Sequence, residues 1–152
     1  MRAPIPIAVF LLLGITAYPA RASSPGSSPA DQQSIDALEA RASHAQPREQ
    51  CFLYAQLVQQ MTELSIRQYA AGDVVRATSL LRRIQHIAQT IHLSVANKDK
   101  RLKNAELLLN RTAFRLNEML QASSIKDRPL VEETLTQVSQ AQNATMMQVF
   151  QK

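Results

Sequence analysis

The chain has 152 residues, 45% of them apolar and 19% charged, which is the make-up of one small globular domain. Its single cysteine excludes an internal disulfide framework, and one glycine beyond residue 30 leaves no room for a Gly-rich phosphate loop. The formal charge is +5, but its distribution says more than its total.

Met1–Arg2 supplies a positive charge, and residues 5–18, IPIAVFLLLGITAY, are an almost purely apolar run. Pro19 breaks it, and Ala20-Arg21-Ala22 follows with small residues at both positions that signal peptidase reads. The run falls short of the roughly 20 residues a membrane span needs. Residues 1–22 are therefore expected to be a cleavable signal peptide, and the mature protein to be periplasmic or extracellular. No cysteine stands at the cleavage site to carry a lipid. Residues 23–30, SSPGSSPA, cannot bury apolar surface and are expected to be a disordered linker before a helical domain over 31–152.

Five apolar-periodic segments follow. In the first, about 31–45, Ile35, Leu38, Ala42 and Ala45 line one face. Pro47 suits the first turn of the next helix. That second segment runs to Ala71, with Cys51, Tyr54, Val58 and Met61 on one stripe and Leu53, Leu57 and Leu64 beside it. Gly72 fits the left-handed residue after a helix, and Asp73 the N-cap of another. The third segment repeats Ala77, Leu80, Ile84, Ile87 and Ile91; the fourth repeats Leu102, Ala105, Leu109, Thr112, Leu116 and Met119. The fifth starts near Pro129, with Glu132 and Glu133 in its early turns and Val131, Leu135, Val138, Val149 and one or both of Met146 and Met147 as its apolar side.

Between Asp73 and Asp127 there is no Gly or Pro. An unbroken helix of about 49 residues would be about 73 Å long, far beyond its neighbours, so a turn near Asn97 is expected. The cost is that Lys98, Lys100 and Arg101 then sit at a helix N-terminus, where the dipole disfavours cations. With the turn in place the fold is all-α: an up-and-down bundle of four long helices plus a short N-terminal one. Strand signals are absent.

Around Gly72-Asp73 the chain resembles the inter-helix turn of a tetratricopeptide repeat. Ala77, Leu81 and Ile84 fall where that family has a small residue and two large apolar ones, Met61 and Leu64 fall at its bulky positions, and Ser65 at its small one. Gln68 and Gln89 depart from its aromatic and proline positions. The resemblance spans one unit, 61–84, whereas stable arrays need about three. It implies a peptide-binding scaffold.

Little else points to chemistry. Cys51 shares a stripe with Tyr54 and Val58, which predicts burial; an intermolecular disulfide is the other option for an unpaired thiol after export. His44, His86 and His92 are not spaced as helix-borne metal ligands. Met61, Met119, Met146 and Met147 are expected as core filler rather than haem ligands. Glu-x-x-His and G-x-S-x-G are missing. No catalytic, cofactor or metal residues are therefore assigned, and no enzyme is expected. Two N-x-T sequons, at Asn110 and Asn143, lie inside helical segments.

Charge carries the remaining signal. Setting Arg2 and Arg21 aside, residues 67–115 hold ten bases against three acids, a net +7, and the rest holds five against nine, a net −4. The candidate anionic-partner surface is Arg76, Arg82, Arg83, Lys98, Lys100, Arg101 and Lys103. It would take an acidic protein, lipid headgroups or an anionic polymer. Without interleaved aromatics, base-stacking nucleic-acid binding is not expected. The competing expectation is that acidic end helices pack beside basic central ones. The expected function is an exported, non-enzymatic binding or scaffold module. A cofactor-carrying bundle or a periplasmic chaperone-like protein is the alternative, although Leu135-Thr136-Gln137-Val138-Ser139 does not complete a chaperone-type LTxxQ pattern. A homodimer stays open, since an amphipathic stripe is buried equally well across two chains.

Overall fold

A computed structural model describes residues 28–151. The expected signal peptide, 1–22, and residues 23–27 of the expected linker lie outside the described residues. Five helices account for the regular structure: α1 Pro29–His44, α2 Pro47–Ala70, α3 Val74–Ser94, α4 Leu102–Ala122 and α5 Arg128–Phe150. None is long and apolar enough to cross a membrane.

α1 starts at Pro29, inside the stretch whose composition predicts a linker. The reason is local. Ser28 accepts from the Asp31 N–H while the Asp31 carboxylate accepts from the Ser28 N–H, a capping box, and Pro29 sits where its missing N–H costs nothing. α2 ends as its sequence predicts. Gly72 takes φ +82°, the Gly72 and Asp73 N–H groups donate back to the Tyr69 and Gln68 carbonyls, and Asp73 caps α3 through the Arg76 N–H at 3.3 Å.

The turn expected near Asn97 is present. After Ser94 the Ala96 N–H donates to the Asp99 carboxylate at 2.9 Å and the Asp99 N–H to the Ala96 carbonyl at 3.0 Å. Arg101 then adopts φ 60°, ψ 29°, which no continuing right-handed helix can hold, and α4 begins at the next residue.

α2 packs against α3 and α4, and α5 against the same two, so the four long helices form a ring in the order α2, α3, α5, α4. α1 lies against α2 outside the ring. Two sets of contacts fix the directions. At one end, here called the top, Tyr69 near the end of α2 donates to Asp127 before α5 at 3.1 Å and accepts from the Ser124 N–H at 2.9 Å. At the other end, the base, the Lys100 N–H before α4 donates to the Arg48 carbonyl in the first turn of α2 at 2.7 Å. α2 and α4 therefore run from base to top, α3 and α5 from top to base, and residues 95–101 cross the base diagonally between α3 and α4.

The interior is filled by Leu57, Val58, Met61, Leu81, Ile84, Ile91, Leu109, Leu116, Val131 and Val138, all essentially without exposed surface. α2, with three neighbours, is covered around most of its circumference. α1 buries only Ile35 and Ala42. On α5 the inward line is Val131, Thr134, Val138, Ala141 and Thr145. Met146 and Met147, one or both of which are expected on the apolar side, follow Thr145 by about 100° and 200° of helix rotation. They point outward, 38% and 60% exposed. Polar side chains tie the ring together laterally: Arg115 on α4 bridges Glu63 on α2, and Gln85 on α3 donates to Thr134 on α5 at 2.9 Å.

The residues that resemble a tetratricopeptide unit make a close helical hairpin. Met61, Leu64, Ser65, Ala77, Leu81 and Ile84 are all buried, and the Ser65 hydroxyl donates to the Ala77 carbonyl at 3.0 Å. Gln68 is buried as well, while Gln89 is exposed.

Candidate functional site

The diagonal crossing gathers charge at the base. The Arg48 guanidinium donates from Nε to the Lys98 carbonyl at 2.9 Å, and the Lys100 ammonium sits 2.9 Å from Glu49. Together with the Lys100 N–H bond to Arg48, these contacts hold the crossing segment onto the first turn of α2. The α1–α2 turn is at the same end, so Arg41 arrives there too. Arg41, Arg48, Lys98, Lys100, Arg101 and Lys103 thus share one end of the bundle with two acids, Glu49 and Asp99, giving a net +4. All six cations are exposed, and among the described residues Lys98 and Lys103 make no ion pair.

Within this end is a cleft of about 130 Å³ lined by Arg41, Glu49, Phe52, Leu53, Lys100 and Arg101. The Arg101 guanidinium carbon lies 3.6 Å from the centre of the Phe52 ring. Glu49 is held ionised below the usual carboxylate range, chiefly by its hydrogen bond from Lys100 and then by the charge of that lysine.

The seven cations expected to form one surface separate into two groups. Lys98, Lys100, Arg101 and Lys103 are at the base. Arg76, in the first turn of α3, is at the top, about 27 Å along the helix axis from Ser94. It pairs with Asp73 at 3.4 Å. Arg83 is engaged by Glu39 and Asp36 of α1, and Arg82 points to solvent. Internal complementarity therefore accounts for Arg83, Lys100 and Arg115, which meets Glu63 and Glu118. Among the described residues, Arg41, Arg48, Lys98, Arg101 and Lys103 at the base are in no salt bridge, although the Arg41 charge also acts on Glu49.

Arg41, Arg48 and Phe52 are site residues that charge counting missed, because the two arginines belong to a net-acidic flank. The signal that finds them is topological. In an antiparallel bundle, the Pro47 turn and the Asn97 turn fall at the same end.

Cys51 is buried, and burial pushes its thiol up to about 12, with the nearby Asp99 charge acting in the same direction. His44 is exposed and hydrogen-bonded at Nδ1 to the Ala40 carbonyl, so it is occupied away from the thiol. His86 and His92 are exposed. Met61 is buried without exposed surface and Met119 nearly so. Thr112 and Thr145, the hydroxyl residues of the two sequons, are buried in α4 and α5. No protein-family model, curated protein or solved structure is significantly similar to this chain.

Proposed function

We propose that this chain is an exported, non-enzymatic binding module that takes an acidic protein partner on the base of a four-helix bundle, with a short helix, α1, strapped to its side. The observation that carries this reading is the convergence of six exposed cations from α1, α2, the crossing segment and α4 onto one end. A solvated helix face would scatter its charges along the axis. Here segments separated by about fifty residues deliver them to the same place.

A protein partner is favoured over nucleic acid because rings are not interleaved with the cations at the base: Phe52 is buried and covered by Arg101, and Phe150 stands alone at the end of α5. A single ring is no platform for successive bases. A protein is favoured over a membrane because the cations border a concave cleft, which a protruding side chain enters and a flat lipid surface does not. α5 ends at the same end with Met147 and Phe150 exposed, which supplies apolar contact area beside the charge.

The test is binding of a hexaglutamate peptide to the mature protein by fluorescence anisotropy, at about 20 mM and about 150 mM salt. Exposed charge is screened over about 8–10 Å at the higher concentration. Affinity should fall by about tenfold or more between the two. Salt-insensitive binding, no binding, or preferential sedimentation with phosphatidylglycerol vesicles would contradict the proposal.

A further inference from the structure

We infer that the cleft between Arg41, Phe52, Lys100 and Arg101 is a carboxylate pocket, which receives one Asp, Glu or C-terminal carboxylate of the acidic partner. This rests on the binding-module reading above and names the site at which that partner is anchored.

Three features meet at Arg101, and local physics selects against arginine in each. Its backbone is left-handed, at φ 60° and ψ 29°, a region that Gly, Asn and Asp fill most readily. Among the described non-glycine residues it alone has positive φ. It also occupies the N-cap of α4, where no side chain accepts a hydrogen bond from the first turn. A guanidinium has no acceptor to offer, whereas Ser, Thr, Asp or Asn would cap the helix. Finally, the first turn of α4 contains no acid and does contain Lys103, so two cations face the positive end of the helix dipole. A residue held against its local preferences is a pointer to function.

What Arg101 gains there is position. Its guanidinium sits over the Phe52 ring and forms one wall of the cleft, with Arg41 and Lys100 as the other cations. The cleft has a volume of about 130 Å³. Drug-sized ligands need about 300 Å³ or more, so the cleft suits one small oxyanion at the end of a side chain. Three cations line the cleft with one carboxylate, Glu49, leaving a net +2 that calls for an anion. The partner proposed above is an acidic protein, and the anion it carries is a carboxylate. Arg41 and Arg101 provide planar forks that match a carboxylate in two-pronged fashion.

The experiment is amide chemical-shift mapping of hexaglutamate on the ¹⁵N-labelled mature protein, repeated on R101N and R41A. The expected result is saturable shifts centred on Arg41, Leu53, Lys100 and Arg101. R101N and R41A should each weaken binding by about fivefold or more, as loss of a charge-assisted contact does. R101N should leave the melting temperature within about 2 °C, because Asn tolerates the left-handed backbone that Arg101 holds. Unchanged affinity in both variants would place the partner elsewhere on the base, overturning the pocket but not the binding module. No binding to the parent protein would overturn both. A large fall in melting temperature in R101N would make Arg101 structural, and R41A, on exposed α1 surface, would then decide the pocket by itself.

Discussion

Ile35→Ala should detach α1 while leaving the four-helix ring folded. α1 is held by little: Ile35 and Ala42 are buried, and Leu38 and Ala45 are partly covered. Full burial of Ile35 contributes about 2–3 kcal/mol, Ala42 about 0.8 kcal/mol, and Leu38 with Ala45 about 1.5 kcal/mol. The bridges Arg67–Asp31 and Arg83–Glu39 are half exposed and add at most about 1 kcal/mol each. From a gross total near 5 kcal/mol of apolar burial, the substitution removes about half. Native-state hydrogen exchange reads this directly. Protection of α1 amides should fall by about 30-fold or more, since 1.4 kcal/mol is a factor of ten. Amides of Leu57, Ile84, Leu109 and Val138 should keep their parent protection. Hexaglutamate binding should weaken in the same variant, because Arg41 rides on α1. Equal loss of protection in all five helices, or no loss in α1, would refute the reasoning that α1 is a separately docked element.

Thr62→Val should stabilise the protein by about 1 kcal/mol, because the buried Thr62 hydroxyl has no hydrogen-bond partner and valine keeps its shape; urea unfolding checks this. Tyr69→Phe should cost about 1 kcal/mol in the same assay, since it removes the hydrogen bonds that the Tyr69 hydroxyl makes with Asp127 and with the exposed Ser124 N–H at the α4–α5 turn. The Cys51 thiol, raised by burial to about 12, favours its protonated form in the fold. Its contribution is fully present below the unfolded thiol range near 9 and is lost as pH rises from about 9 to about 12. The slope is about 1.4 kcal/mol per pH unit, and Cys51→Ala should flatten it in chemical denaturation at alkaline pH. Thiol reagents should label Cys51 only after unfolding; rapid labelling of the native protein would contradict its burial.

The helices were legible because their signals are local and mutually consistent. The stripe Ala77, Leu80, Ile84, Ile87, Ile91 has one period and one face, and Gly72-Asp73 has one good use. The break at Asn97 was harder. No Gly or Pro marks it, and its left-handed residue is an arginine, the wrong residue for the position by every local rule. That misfit is also what marks the candidate site. Met146 and Met147 were misplaced because an apolar residue near the end of a terminal helix has no neighbour obliged to cover it. The charge pattern was legible along the chain but not in space. Periodicity does not say which end of a helix lies beside which turn, so Arg76 and Lys98 looked like one surface and Arg41 did not join it.

Binding at the base depends on where charge is placed rather than how much there is. Two variants with equal loss of charge separate these directly: K98Q/K103Q at the base, and R76Q/R82Q on α3. Hexaglutamate affinity at about 20 mM salt should fall about three- to tenfold in K98Q/K103Q, as removal of two exposed attractive charges predicts. It should fall by less than about twofold in R76Q/R82Q, whose charges lie about 27 and 18 Å along α3 from Ser94, against a screening length of roughly 20 Å at that salt. Equal weakening in the two variants would mean that net charge alone attracts the peptide, and would contradict a binding end at the base.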